Sequence, residues 1–287
     1  MSNSFPELLP ARDMRQAIDQ FVEQLVTQYA DSLERLSAPF LHLLVWLEQL
    51  LRGAPWWLVV LAVAGLAWLA SRRIGLAVAM AALLCVVGLL GLWDRGMQTL
   101  ALMIMATGLS VVIGIPTGIL MSRSDWLRKL MLPVLDVMQT MPGFVYLIPV
   151  VMLFGLGKIP AIIATVIYAV PPLIRLTDLG IRLVDAEVLE ASRAFGANAR
   201  QQLFGVQLPL ALPNIMAGIN QTTMMALSMV VIASMIGARG LGQEVLLGIN
   251  RLEVGRGLLA GIAIVALAII FDRITQAYGK RQSGERP

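Results

Sequence analysis

The residues able to do chemistry in this chain are few, and their spacing says more than their number. There is one histidine, His42, and one cysteine, Cys85. They cannot supply a histidine metal site, a thiolate cluster or an internal disulfide framework, and they make a histidine-based triad hard to assemble. Gly157-Lys158 is followed by Ile159 and lacks the upstream glycine of a phosphate-binding loop, so it reads as a turn. Acidic pairs suited to an aspartyl mechanism do not occur within the apolar stretches. Neither metal nor cofactor is expected. Two groups of polar or aromatic residues remain. Phe144, Tyr146 and Tyr168 offer π faces of the kind that attract a quaternary ammonium, and they serve equally as packing or interface residues. Asn220, Gln221, Thr222 and Thr223, with Ser228 and Ser234 further on, set polar groups in an apolar run where lipid gives them no partner. With Phe144 and Tyr146 they are candidates for a translocation pathway; the alternative is hydrogen bonding between helices.

The most ordered polar segment runs from residue 175 to 209. Asp185 can cap a short helix whose first turn holds Glu187, where a negative charge suits the helix dipole. Gly196 falls where a left-handed residue would close that helix. Asn198 and Gln201 have the spacing of a capping box for a second helix, expected to end at Leu208-Pro209. The product is a helix–turn–helix displaying Phe195 and Phe204, a knob that a soluble partner could grip. A merely solvated connector is the plainer reading.

The elements that must position these residues are membrane spans. Hydrophobic residues make up 58% of the 287 and charged residues 14%, more apolar side chain than a soluble chain of this size can hide. Seven apolar stretches, 55–71, 74–93, 97–121, 142–157, 159–174, 210–236 and 257–271, approach the length needed to cross a bilayer. Within them Gly114 and Gly118 form a close-packing pair, Pro160, Pro171 and Pro172 are expected to break the fifth stretch, and the methionines read as adaptable packing. With the N-terminus outside, the inner segments gather Arg72 and Arg73, Arg123, Arg128 and Lys129, then Arg175, Arg182, Arg193 and Arg200, and the basic tail. That is the expected positive-inside bias, and it explains the basic balance better than nucleic acid does. Residues 1–54 lack the pattern of a signal peptide. Ile18, Phe21, Val22, Leu25, Tyr29, Leu33 and Leu36 recur at helical spacing, and Phe40–Leu51 suits a helix in the interface plane, so this region reads as an amphipathic membrane-surface anchor. The expected organisation is therefore an amphipathic region, 1–54, a membrane domain, 55–278, holding the 175–209 loop, and a short tail, 279–287.

Glu190-Ala191-Ser192, three residues, Gly196, nine residues and Val206-Gln207-Leu208-Pro209 resemble the "EAA" loop of ABC-importer permeases, with Ser192 and Val206 as conservative departures. The stretch from Leu135 to Tyr146, the run from Asn220 to Ile236 and the segment Gly240–Gln243 are similar to glycine betaine/proline betaine permeases. The resemblance implies an all-α membrane protein with about seven spans and the core fold of methionine and molybdate permeases. It implies a homodimer in the bacterial inner membrane, two ATPase subunits inside and a substrate-binding protein outside. Glu190, Ala191, Ser192, Gly196, Val206, Leu208 and Pro209 would then couple to the ATPase. Choline, carnitine or another small solute is the nearest alternative cargo; a passive channel, a scaffold or an intramembrane enzyme fits less well.

Overall fold

The computed structural model describes residues 11–282, and the described chain is helical nearly throughout, with no strand. The first ten residues of the amphipathic region and the last five of the tail lie outside the described residues. Helix α1 (Ala11–Gly53) is followed by α2 (Trp56–Ser71) and α3 (Ile74–Leu89). Next come α4 (Trp93–Arg123) and α5 (Asp125–Thr140), which turns through Met141-Pro142 into α6 (Gly143–Phe154). Helix α7 (Lys158–Arg182) leads to two short helices, α8 (Ala186–Ala194) and α9 (Ala199–Gln202), and then to α10 (Leu208–Ala233). Helices α11 (Leu241–Asn250) and α12 (Val254–Gln282) complete the order.

Among the described residues, four helical runs are long and apolar enough to cross a membrane: α4, α7, the run Ala199–Ala238 and α12. Ser37–Gly53 with α2, bent by 108°, and α5 with α6, bent by 98°, pass the same test as pairs, and α3 is a shorter apolar helix. Each of the seven apolar stretches thus lies in a helix or bent pair. The stretch 142–157 corresponds to α6, whose 12 residues reach only about 18 Å. Its remaining length comes from α5, where Asp125, Arg128, Lys129 and Asp136 interrupt the apolar run.

Two expectations about helix breaks are corrected. Pro171 and Pro172 do not break the fifth stretch: α7 runs through both, and both are buried. Helices packed on two sides of α7 hold the backbone in place where the prolines remove donors. The two N-terminal stretches form one 43-residue helix that passes through Pro39. Ile18, Phe21 and Tyr29 stay exposed along it. Its last turns pack on α4, α6 and α7 through Leu44, which is fully buried, and through Glu48, which bonds Lys158 at 2.5 Å.

The centre of the molecule is α7 lying between α4 and α10, at separations set by glycine. A Cβ on Gly118 would stand 2.6 Å from the Thr177 Cβ and 2.8 Å from the Ile174 carbonyl oxygen, and one on Gly114 would meet Leu173 at 2.9 Å. On the other side of α7, a Cβ on Gly180 would meet Asn214 at 2.7 Å, and one on Gly218 would meet Leu173 at 3.1 Å. Small residues let backbones approach in a medium that gives apolar side chains no reason of their own to associate. The ends of α4 and α7 lie together, because Arg182 Nη2 donates to the Met121 carbonyl at 3.2 Å. Helix α10 runs the opposite way and carries its far end back to the start of α4, where the Leu241 N–H donates to Thr99 at 2.9 Å. The stretch between α7 and α10 therefore projects from one end of the bundle, called the loop end below.

Gly118→Ala should force α4 from α7 and cost about 1–3 kcal/mol by overpacking. Gly108→Ala, in the same helix with nothing within 4 Å of the new Cβ, should be neutral or slightly stabilising. Heating the two purified variants in detergent and following the loss of monodisperse protein checks this; equal midpoints would contradict the close-contact role of Gly118.

Candidate functional site

At the loop end the chain builds the expected helix–turn–helix from local hydrogen bonds. Asp185 caps α8 by accepting the Glu187 N–H at 2.9 Å. At the other end, Gly196 adopts φ +84°. Its N–H reaches the Arg193 carbonyl at 2.9 Å while the Ala197 N–H reaches that of Ser192 at 3.1 Å. This bond pair satisfies carbonyls the helix would otherwise leave open, and it requires the left-handed residue that glycine supplies without strain. The capping box is complete: Asn198 accepts from the Arg200 and Gln201 N–H groups at 3.0 and 2.9 Å, and Gln201 accepts from the Asn198 N–H at 2.9 Å.

The end of the second helix is a correction. It does not stop at Leu208-Pro209; α9 continues through a π-helical segment, Leu203–Gln207, into α10. The Leu208 N–H bonds the Leu203 carbonyl, five residues back. One wide turn just before Pro209 lets the missing donor of proline fall at the new helix start, where helices tolerate it. Val206, Leu208 and Pro209 are thus part of a continuous rod, and Glu190, Ala191, Ser192 and Gly196 belong to the shorter arm packed beside its base. The arms are joined by Gln202, which is buried and donates to the Leu189 carbonyl at 2.8 Å. Sequence reasoning missed this clamp, since nothing in a polar side chain at that position signals burial.

No side chain of α8 is buried, and Phe195 is 93% exposed with Phe204 at 66%. Two phenyl rings held out by a capped frame form an apolar contact surface on a charged loop, the composition of a docking knob.

A second feature was also unread in the sequence. Asp178, 2% exposed, sits in the last turns of α7 and uses both oxygens: Arg128 Nε donates to Oδ2 and Arg182 Nε to Oδ1, each at 3.0 Å. Arg182 also pairs with Asp125 at 2.8 Å. One cluster therefore joins α4, α5 and α7 directly beneath the loop, and Arg123 adds a bond from α4 to the Ala199 carbonyl at 3.0 Å. The available signal was a lone aspartate in an apolar helix with arginine four residues on. At the opposite end Glu244 of α11, also buried, takes Arg95 of α4 at 3.1 Å and Arg256 of α12 at 2.8 Å.

The polar run of α10 is divided by the helix. Asn220 bonds Asp272 of α12 at 3.2 Å and accepts from Thr275, which is the packing arrangement. Thr222 and Thr223 are buried, Thr223 bonding back to the Ile219 carbonyl at 2.7 Å. Gln221 alone of the four is exposed, as is Ser228 two turns on. Tyr146 is buried at the α5–α6 corner, donates to the Met138 carbonyl and meets Tyr168 edge-on with centroids 6.0 Å apart. Phe144 is 52% exposed. The structure therefore does not gather these aromatics into a cage, and Phe144 and Gln221 are the two left open to a partner or solute. Among the described residues no group of three or more His, Cys, Asp or Glu side chains is placed to hold a metal.

Residues 110–284 match the family described as the binding-protein-dependent transport system inner membrane component. The chain is 49% identical to the glycine betaine/proline betaine transport system permease protein ProW of Escherichia coli, over 94% of this chain and 76% of that one. It is 48% identical to the glycine betaine/carnitine transport permease protein GbuB of Listeria monocytogenes, over 80% of this chain and 83% of that one. An inward-facing structure of the MetNI methionine ABC transporter shares the fold: TM-score 0.56, 24% identity, covering 66% of this chain and 93% of that one.

Replacing Gln202 by leucine removes the bond between the two arms of the loop. A single hydrogen bond is worth about 0.5–1.5 kcal/mol, so trypsin should cut after Arg193 and Arg200 roughly 2- to 12-fold faster than in the parent chain. Unchanged cleavage rates would show that Gln202 does not hold the arms together.

Proposed function

Because the chain belongs to the family of binding-protein-dependent transport system inner membrane components, we propose that it is the membrane-spanning permease subunit of an ATP-driven importer of quaternary amines of the glycine betaine class. It is a multi-pass inner-membrane protein and not an enzyme; ATP is hydrolysed by a separate subunit. The observation that carries the coupling role is the projecting helix–turn–helix, closed by Asp185, Gly196 and Asn198, with its aromatic side chains held outward.

In this reading the loop end faces the cytoplasm and the N-terminus lies outside. Two copies of the chain pair, two ATPase subunits receive Glu190, Ala191, Ser192 and Gly196 of each loop, and a binding protein delivers solute to the opposite end. Residues 55–278 are the permease domain, and 1–54 its membrane-surface region; α1 ends at Gly53 and α2 begins at Trp56, on either side of that boundary. Closure of the ATPase pair would drive the loop, and Val206, Leu208 and Pro209 would carry the displacement into α10. The exposed Gln221 and Ser228 on an otherwise apolar span support a face turned to water or to the second copy, since lipid leaves an amide unsatisfied. Phe144 and Gln221 would then line the pathway, with Thr222, Thr223, Asn220 and Tyr146 shaping it from behind. Carnitine is the second cargo to consider, because a relative of 48% identity is named for glycine betaine and carnitine; choline is a third of the same charge type.

The test is uptake of radiolabelled glycine betaine, carnitine and choline by cells lacking their own quaternary-amine systems and expressing this chain with its ATPase and binding protein. Gly196→Val is the informative variant. A Cβ there meets nothing within 4 Å, so the substitution acts through backbone alone, forcing a β-branched residue into φ +84° at about 1–3 kcal/mol. It should abolish uptake and uncouple ATP hydrolysis from solute while insertion remains intact. Gly196→Asn, which tolerates that conformation, should keep a large part of the activity. Normal uptake by the valine variant would contradict the coupling role of this loop.

A further inference from the structure

The geometry points to Asp178 as the positioning residue that makes the α5–α6 pair move with the coupling loop, an inference that rests on the importer reading above. Asp178 precedes the loop's first cap, Asp185, by two helical turns, and its carboxylate takes a guanidinium from each of α5 and α7 at that level. Arg128 of α5 approaches one oxygen and Arg182 of α7 the other. Arg182 in turn holds Asp125 at the start of α5 and the last carbonyls of α4 through Met121. A second pair, Arg175 with Asp136, joins α7 to α5 two turns further along it.

These contacts have a mechanical consequence. Helix α5 buries Leu135 against Met121, Val170 and Ile174, with Met131, Leu132 and Met138 partly buried beside it, and leaves Trp126, Leu130, Val134 and Val137 exposed, so only one face of it meets the bundle. Three ion pairs add to that apolar contact, and they all end on the part of α7 that leads into the loop. A buried carboxylate cannot leave its guanidinium partners without stranding charge in an apolar environment. Displacement of the loop end of α7 must therefore draw α5 along. Helix α5 continues through the 98° bend into α6, which carries Phe144 and Tyr146. Asp178 thus links the knob outside the membrane to the aromatic corner within it. A role in stability alone would lower the amount of assembled protein, and uptake and ATP hydrolysis would fall together. A positioning role changes their ratio.

The experiment uses the full importer, this chain with its ATPase and binding protein, reconstituted in liposomes with radiolabelled glycine betaine. Arg128→Gln is the main variant because it removes the α5 partner of Asp178 and leaves the Asp178–Arg182, Asp125–Arg182 and Asp136–Arg175 pairs to support folding. Asp178→Asn is the second, and Glu253→Gln, which alters an exposed pair with Arg256 at the other end, is the control. Glycine betaine taken up per ATP hydrolysed should fall at least tenfold in Arg128→Gln, with ATP hydrolysis above half that of the parent complex and the control unchanged. Asp178→Asn, where it assembles, should show the same drop. Uptake and hydrolysis falling by equal factors, or both staying at parent levels, would overturn the positioning role while leaving the importer assignment standing. Failure of the parent complex itself to take up glycine betaine, with carnitine and choline also refused, would overturn the importer reading and this inference with it.

Discussion

Helix α7 is held on two sides at distances that exclude a methyl group, against α4 at Gly114 and Gly118 and against α10 at Gly180 and Gly218. Every other functional feature takes its position from that contact. In lipid there is little hydrophobic gain from bringing apolar helices together, so close backbone approach and the dispersion it allows must supply the association. The same contact explains how α7 runs unbroken through Pro171 and Pro172. Neighbours packed on both sides leave no room for the helix to bend away, and the cost of the missing donors falls on a segment already fixed. A less crowded helix with two adjacent prolines would kink.

Once three helices are fixed, charge can be placed only where it is fully paired. Asp178, Glu244 and Glu48 are each buried and each meets two basic side chains. They tie peripheral elements to the ends of the central helices: α5 at the loop end, α11 and α12 at the far end, and α1 to α7 beside it. Such pairs contribute little net stability over an apolar substitute, because desolvation offsets most of the attraction. Their value lies in geometry. A bidentate or doubly shared guanidinium fixes angle as well as distance, which apolar contact among leucines does not.

What could be read from the sequence was whatever is settled within a few residues. The caps at Asp185 and Asn198 and the left-handed closure at Gly196 all depend on hydrogen bonds reaching no further than five residues, and their residue types announce them. The helical stretches were legible because apolar runs of that length have few other fates. Three things were not. The π-helical turn before Pro209 depends on α10 being continuous with α9, which no local signal specifies. The buried role of Gln202 depends on how α8 folds back across it. The corner between α5 and α6 was obscured because α5 is charged where it meets α7, and charge reads as a loop until its partners are known. The polar run Asn220–Thr223 was visible as a group, yet successive helical residues point about 100° apart, so it had to divide among several surroundings.

The unbroken path from Ala199 to Ala233 bears on how force could travel. A helix of that length extends about 50 Å, and sharp bends in it are confined to prolines and π-helical turns. One such turn, the wide one at Leu203–Gln207, lies at the base, next to the clamp from Gln202 to Leu189 and the bond from Arg123 to the Ala199 carbonyl. Above that point the helix passes through Pro213, which removes one backbone donor, and stays helical until Ile236 and Gly237 leave helical geometry near the far end. Gly240 follows with a Cβ position only 2.7 Å from the Thr99 hydroxyl, where the Leu241 N–H is bonded. The departures from α-helical geometry therefore stand at the two ends, and the span between them is one continuous helix. Tilting the base would carry the exposed Gln221 and Ser228 as a unit and deliver the motion to the joint with α11. That arrangement suits a part moved from one side of a membrane to change access at the other.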